Sequence, residues 1–515
     1  MKRSVKIFLY SLIALGITIL ILSLAANSII KNKVENLIKD ELPAHMISSY
    51  DEISIRTLEG SVYIKSPSLT LKNKTDSVTH TFLKAGNLRI EGVGYWDYLF
   101  KKKIHINKIV LENSTTIHHK DRLVVDTVSA KTEFEVNNPT FINHFEIKNA
   151  SLAIYDKEKD STKLFVQDLS FQISDVEVNQ ETLKSKIPLA YKKVTAKGDS
   201  IFVKANPYEN LVLNSFSIED RNITVNRLKY KTKYSRAELS RVISIERDHF
   251  DLSMESLSIQ DFDFGFKKDS LFFVDTKKII LNSPSLDIYR DKLVDDDTSI
   301  KPLYSRSLRE LSFDLIVDSV KINEGLLKYE EKVQEENSGA IQFKNMMANI
   351  SNLSNTYSEP KSTDVKIDAI FMDNTPLSVD WNFNVQNLQD QFTFKANIGS
   401  LNAEDMNRFT EPNLKVRLEG VAEKTFFTID GNDEKSSTDL KIQYSDFKVT
   451  VLQKDGKKKN KFLSAIVNIF VSKDSEEKDD KFKQGSGEAI RDKTKSVFNQ
   501  LWISVQSALS NAIII

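Results

Sequence analysis

A short phrase recurs along this chain and constrains its fold more than any other feature. The phrase starts with an apolar residue and has further apolar residues five and seven positions later. Its copies read IKSPSLTLK from Ile64, IKNASLAIY from Ile147, IEDRNITVN from Ile218, IQDFDFGFK from Ile259, LNSPSLDIY from Leu281 and INEGLLKYE from Ile322, with weaker copies starting at Leu111 and Ala196. The later apolar pair alternates with polar residues, as in a strand with one covered face.

The fourth position of the phrase is occupied by Pro67, Ala150, Pro284 or Gly325, which suits a kink between two strand segments. The copies are unevenly spaced, so they do not define a strict solenoid, and any large antiparallel sheet also alternates. The agreement of the kink with both apolar positions favours a structural repeat. We therefore expect a mainly β protein whose function lies in a long surface.

Composition excludes several function classes. Lys plus Arg equals Asp plus Glu at 72 each, so no net charge draws the chain to nucleic acid. There are no cysteines, which rules out disulfides, thiolate metal sites and cysteine nucleophiles. The sequence has no phosphate-binding glycine loop, nucleophile elbow or zinc-binding helix motif. The adjacent pair His118 and His119 would point to opposite faces of a strand. We expect no enzyme, no cofactor and no metal site.

The N-terminus carries a long apolar segment. Lys2, Arg3 and Lys6 precede the uncharged stretch 7–26, which has about the length that a helix needs to cross a bilayer. A cleaved signal peptide is the alternative, but its apolar region is usually shorter. The sequence therefore predicts an uncleaved anchor with a cytoplasmic N-terminus.

The rest of the chain divides by pattern into segments. Helical breaks are predicted from Ser235 as N-cap, around Pro302 and from Leu401. The expected segments are a transmembrane anchor at 1–30, a juxtamembrane helix at 31–50, β repeats at 51–300 and 301–455, a charged linker at 456–484 with an apolar segment at 462–471, and a C-terminal amphipathic helix at 485–515.

The clearest strand pair lies between residues 377 and 398. Apolar residues alternate with polar ones on both sides of a turn at 387–390, which predicts a hairpin with one apolar and one polar face. The apolar positions are Leu377, Val379, Trp381, Phe383, Val385, Phe392, Phe394, Ala396 and Ile398.

The C-terminal pattern allows two interpretations. Val497, Leu501, Trp502 and Val505 share a broad apolar face of a predicted helix. Such a helix packs on the end of the sheet, or it binds a membrane surface or a partner protein.

These features together give a family resemblance. The chain resembles the AsmA-like proteins of double-membrane bacteria, within an uncharacterised AsmA-related domain family. The resemblance is carried by the anchor followed directly by strands, the phrase ILNSPSLDIY, the stretch KPLYSRSLRELSFDLIVDSVKINEGLLKYEE from Lys301, and the series FKANIGSLNAEDMNRF, IQYSDFKVTVL, FLSAIVNIFV and KSVFNQLWISV.

The resemblance implies an elongated, curled antiparallel β-groove, as in bridge-like lipid transfer proteins. It also implies a single-pass inner-membrane protein whose bulk is periplasmic, and a role in carrying phospholipid for outer-membrane biogenesis and envelope integrity. Physics is compatible with this shape, since an open sheet of well over ten strands must curl or split. The predicted lipid-facing residues are Leu377, Val379, Trp381, Phe383, Val385, Phe392, Phe394 and Ile398.

A second function remains open from the sequence. The protein could be a non-enzymatic assembly or scaffold factor that binds envelope proteins, with a sheet that packs its own core. The two functions differ in whether the apolar face is open or covered by helices.

Overall fold

The computed structural model of the chain describes residues 27–32, 35–36, 42–124, 138–156, 161–268, 271–357, 361–452 and 482–513. Strands hold 61% of the described residues and helices 15%, which confirms the prediction of a mainly β protein. The contacts divide the chain into two compact units. Unit 1 comprises Met1–Ala205 and Val212–Asp220, and unit 2 comprises Asn206–Leu211 and Arg221–Ile515.

The first part of the chain consists of strands with a few short helical segments. Residues 27–32 and 35–36 are helical. Helix α1 spans Tyr95–Lys101, and 3-10 turns span Thr57–Glu59, Lys120–Arg122 and Thr182–Lys184. Most strand pairs are antiparallel, whereas β7 and β8 run parallel to β9. The strands are β1 (Met46–Ser49), β2 (Glu52–Arg56), β3 (Ser61–Lys65), β4 (Ser68–Lys72), β5 (Thr79–Lys84), β6 (Asn87–Val93), β7 (Ile104–Glu112), β8 (Thr115–His119), β9 (Thr140–Asp156), β10 (Ser161–Val178), β11 (Lys193–Lys204) and β12 (Glu209–Glu219).

Unit 2 combines long strands with four helices in its described residues. The helices are α2 (Arg236–Val242), α3 (Tyr304–Arg309), α4 (Asn407–Leu414) and α5 (Val497–Ile513), and a 3-10 turn spans Ala403–Met406. Strands β16 and β17 run parallel to β18. The strands are β13 (Asn222–Thr232), β14 (Asp248–Gln260), β15 (Asp263–Lys267), β16 (Leu271–Asn282), β17 (Ser285–Asp291), β18 (Asp314–Lys332), β19 (Gly339–Ser354), β20 (Ser362–Phe371), β21 (Thr375–Asn384), β22 (Phe392–Ile398), β23 (Leu401–Asn402), β24 (Val416–Gly431), β25 (Lys435–Val451) and β26 (Lys483–Ile490).

The repeated phrase marks a bend in the strands. Its third residue has a positive φ in six copies, at Ser66, Asn113, Asn149, Asp261, Ser283 and Glu324. One extra residue in the left-handed region is the signature of a β-bulge, which bends a strand. The kink therefore lies one residue before the predicted fourth position. The copy at Ile218 differs, because Asp220 lies in the turn that separates β12 from β13.

The predicted helical breaks in unit 2 are confirmed. Ser235 caps α2 in a capping box, in which its hydroxyl accepts from the Glu238 amide at 3.3 Å and its own amide donates to the Glu238 carboxylate at 2.9 Å. Helix α3 follows Pro302, and a 3-10 turn followed by α4 begins just after Leu401.

Residues 1–26, which contain the predicted anchor, lie outside the described residues, as does most of the linker at 456–484. In the described part of the chain, no helix has the length and apolar character needed to cross a membrane. The juxtamembrane helix predicted at 31–50 is wrong in its last part, because Met46–Ser49 is a strand that pairs with β4.

The predicted boundary at residue 300 is not a division of the structure. Strand β18 pairs with β16 and β17 across it, so both sides belong to unit 2. The helix predicted at 485–515 is wrong in its first part. Residues Lys483–Ile490 form β26, which pairs with β25, and the helix begins only at Val497.

Candidate functional site

Two rows of apolar side chains cross unit 1 on one side of the bend. The strand register aligns the first residue of the phrase in neighbouring strands. One row is Ile53, Ile64, Leu88, Leu111, Ile147, Phe171 and Ala196, and the next is Ile55, Val62, Ile90, Ile109, Phe145, Ile173 and Val194. Because partners in register share a face, these residues form one apolar surface.

A second pair of rows continues on the other side of the bend. The extra residue at the bulge reverses the alternation, so that Ile147 and Leu152, five residues apart, lie on the same face. These rows are Leu69, Leu83, Thr116, Leu152, Val166 and Ile201, and Leu71, Thr81, His118, Ile154, Leu164 and Val203. The four rows together are called the apolar face of unit 1.

Most side chains of the apolar face of unit 1 are partly exposed to solvent. At its first strands, Ile30 of the helical residues 27–32 packs against Ile53, Ile55 and Ile64. The other described helical elements that pack on strands of this unit are α1 beside β7 and the 3-10 turns near β5, β9 and β10. In the described residues, no helix longer than these packs on the strands between β6 and β11, and the side chains of the rows there are mostly partly exposed.

The opposite face of these strands is polar. Arg89 pairs with Glu112 at 2.6 Å, and Lys108 pairs with Glu146 at 2.8 Å. Burial acts to raise the pKa of Glu146, but hydrogen bonds from Lys108 and Lys148 hold that pKa below its ordinary value. Val110 lies beneath these pairs and is only 1% exposed. These ion pairs make this face polar, in contrast to the apolar face of unit 1.

Unit 2 carries similar rows, and helices cover part of them. Val365, Trp381, Phe394 and Ile429 are register partners, and Ile367, Val379, Ala396, Phe427 and Leu440 form the next row. Helix α5 packs on β24, β25 and β26. Leu303, which precedes α3, joins Val497 and Leu501 of α5 in one cluster with this surface.

This cover corrects the predicted lipid-facing residues. Trp381, Phe383, Val385 and Phe392 are buried in the cluster, with Val379 and Phe394 packed against it. Leu377 and Ile398 pair with each other further along the hairpin. The sequence predicted the hairpin and its apolar face correctly, but it did not show that helices from distant parts of the chain lie on that face.

Helix α5 contacts β26 at two glycines, Gly485 and Gly487. A Cβ atom on Gly485 would lie 2.6 Å from the Ala512 nitrogen, and one on Gly487 would lie 2.7 Å from the Ala508 nitrogen. These glycines let the helix backbone approach the strand closely. Helix side chains also bind the outer carbonyls of β26, since Ser507 donates to Glu488 at 3.0 Å and Asn511 to Ser486 at 2.6 Å. Gly485 and Gly487 are the feature of the sequence that could have indicated this contact.

The predicted docking residues of α5 separate into two groups. Val497 and Leu501 are buried against the sheet, and Val505 packs beside them. Trp502 is 41% exposed and lies edge-on to Phe409, with ring centroids 6.4 Å apart. The inner residues thus follow the alternative in which the helix packs on the sheet. Membrane or partner binding by Trp502 stays a prediction.

An open concavity of about 850 Å³ lies in unit 2. Its charged lining alternates between lysine and aspartate on the polar side of the strands, at Lys366, Asp368, Asp380, Lys395, Asp439 and Lys441. Apolar residues also line it, among them Val379, Ala396 and Phe427. In the described part of the chain, no three His, Cys, Asp or Glu side chains are grouped to hold a metal ion.

Comparison with known proteins gives no relative. No family model, no curated protein and no solved structure matches this chain.

Proposed function

We propose that this protein holds lipid acyl chains on the apolar face of unit 1, as a membrane-anchored protein of the AsmA-like kind. The observation that carries the proposal is the continuous set of apolar rows across seven strands, whose side chains between β6 and β11 are mostly partly exposed. At about 4.8 Å per strand, the five strands of these rows from β6 to β11 extend over roughly 19 Å.

The residue sizes favour a thin, flexible ligand over a helix. Where α5 covers the strands, the aligned positions shrink to Gly485 and Gly487 on β26. On the apolar face of unit 1, the aligned positions are mostly Ile, Leu, Val and Phe, which leave no comparable seat for a helix backbone. Acyl chains, in contrast, adapt to a surface of large apolar side chains.

The energetics of binding need no specific headgroup site. Each buried methylene group contributes about 0.8 kcal/mol, so eight methylenes contribute roughly 6 kcal/mol before binding costs. The polar opposite face stays in water through its ion pairs. The substrate class is therefore phospholipid or another lipid with long acyl chains.

The contacts of the helical residues 27–32 support the proposal of an anchored groove. The apolar segment 7–26 ends directly before the helical residues 27–32, and Ile30 of that helix packs on Ile53, Ile55 and Ile64. The Thr57 amide also donates to Asn27 at 2.6 Å. If segment 7–26 spans the inner membrane, the apolar face of unit 1 begins at the bilayer surface, and the bulk of the chain is periplasmic.

The test compares lipid bound by the full chain with lipid bound by two variants. Phe145→Asp places a charge in the apolar face of unit 1, whereas Thr195→Asp places one on the polar face of the same unit. Lipid phosphorus per purified chain should fall for Phe145→Asp and stay unchanged for Thr195→Asp. Lipid that surrounds the membrane segment contributes equally to both variants, so it does not affect this comparison. Equal values for wild type and both folded variants would favour the alternative, an assembly or scaffold protein.

A further inference from the structure

Three histidines of unit 1 lie together at one end of its apolar face. The Thr81 hydroxyl on β5 lies 2.8 Å from Nδ1 of His80 and 2.9 Å from Nδ1 of His118 on β8. The rings of His80 and His118 are edge-on, with centroids 6.1 Å apart. His119 stacks on Tyr155 of β9 at 5.1 Å.

The hydrogen count of this contact limits its protonation states. A threonine hydroxyl has one hydrogen to donate, and its oxygen can accept an N–H from an imidazole. When one Nδ1–H donates to the Thr81 oxygen, the Thr81 hydroxyl can donate to the other Nδ1, and that second imidazole must be neutral. Protonation of both imidazoles removes this acceptor and places two positive charges on rings whose centroids lie 6.1 Å apart.

Among the described residues, the titratable groups that act on His118 carry no negative charge. The titratable groups that act on it are the imidazoles of His80 on β5 and of His119 beside it. The residue that faces it on β9 is the apolar Ile154. Burial, followed by the repulsion of those two imidazoles, holds the pKa of His118 below the ordinary histidine value of 6.5.

We propose that His80, Thr81 and His118 form a proton-sensitive contact between β5 and β8, which is closed while at least one imidazole is neutral and opens when acid protonates both. Four residue pairs join β5 to β8, and Thr81 with His118 is the pair at one end, so repulsion between two protonated imidazoles acts on the end of a short ladder. The contact thus makes one end of the apolar face responsive to pH.

The contact has a second consequence, which rests on the proposed function. His118 is a register partner of Ile154 and belongs to the apolar face of unit 1. A charge there would lower the affinity for acyl chains. The strand opening itself does not depend on lipid binding, so it is tested separately.

The experiment is amide hydrogen exchange of the full chain at pH 7.5 and pH 5.0, with rates corrected for the intrinsic effect of pH. Peptides from β5 and β8 should exchange about tenfold faster at pH 5.0, while peptides from β18 and β19 should not change. His118→Asn keeps an acceptor near Thr81 but cannot titrate, so it should abolish the response. His144→Asn, an exposed histidine on β9, should leave the response intact.

Three results would overturn the proposal. They are a wild-type chain without acceleration in β5 and β8, a His118→Asn chain that keeps the acceleration, and an equal acceleration in β18 and β19. If the β5 and β8 peptides of His118→Asn already exchange fast at pH 7.5, the pH dependence of exchange in the wild-type chain tests the proposal instead. Its midpoint should lie below pH 6.5 and above the range of carboxylates, and a midpoint below about pH 4.5 would contradict the account.

Discussion

The buried position of Trp381 makes a quantitative prediction about unit 2. Its side chain is 7% exposed, and the rings of Tyr304, Phe394 and Phe383 lie 5.4, 5.7 and 6.0 Å from it. Trp381→Ala should therefore destabilise unit 2 by about 3–5 kcal/mol, the usual cost of removing a large aromatic side chain from a core. Trp381→Phe should cost less, because it keeps the aromatic packing. It also removes an indole N–H that has no hydrogen-bond partner in the described structure.

The assay is amide hydrogen exchange of the full chain, read separately for peptides of β20–β25 and of β7–β11. A loss of 3–5 kcal/mol corresponds to a roughly hundredfold to several-thousandfold increase in exchange through global opening of unit 2. The control is Ile109→Ala on the apolar face of unit 1, which should cost no more than about 2 kcal/mol because its side chain is partly exposed. An increase in amide exchange below about threefold for Trp381→Ala would contradict the burial of this residue in a covered core. An equal cost for Ile109→Ala would refute the uncovered face.

Two further substitutions test particular contacts. Gly487→Val should displace α5 and lower the unfolding midpoint of unit 2, because its Cβ would meet the Ala508 nitrogen at 2.7 Å. Ser486→Val on the same strand is the control, and equal midpoints for the two variants would contradict the close approach of α5 to β26. Burial raises the pKa of Glu331, so the folded chain binds its proton more readily than the unfolded chain, and ionised Glu331 costs stability at neutral pH. Glu331→Gln should therefore raise the unfolding midpoint at pH 7, by an increment that shrinks as the pH falls towards 4. The exposed Glu336→Gln should do nothing at either pH, and a lower midpoint for Glu331→Gln would reverse the sign of this argument.

The local features of the fold could be predicted because short-range physics determines them. The hairpin of β21 and β22 follows from strict alternation, and its register pairs Val379 with Ala396 as the pattern requires. The capping box at Ser235 follows from a serine three residues before a glutamate. The bends follow from the repeated phrase, although the residue that adopts the positive φ is the one before the predicted kink.

The functional face could not be located from the sequence, because residues far away in the chain decide whether a strand face is covered. The residues of β21 and β22 have the clearest alternation, yet Val497 and Leu501 lie over them from more than a hundred residues away. The strands of unit 1 have weaker alternation, since bulges interrupt it at Asn113 and Asn149. Their continuous rows emerge only when the register aligns the strands. The prediction took the strand pair with the clearest alternation to be the one with an open apolar face, and that choice was the error.

The central claim is that lipid lies on the apolar face of unit 1, and site-specific photocrosslinking tests it most directly. A photoreactive amino acid would replace Phe145 on the apolar face, Glu146 on the polar face, or Trp381 beneath the helices of unit 2, each in the full chain in cells. Mass spectrometry of the irradiated protein should find lipid adducts at position 145 and none at positions 146 and 381. The absence of lipid at position 145, or equal labelling at positions 145 and 146, would contradict the account.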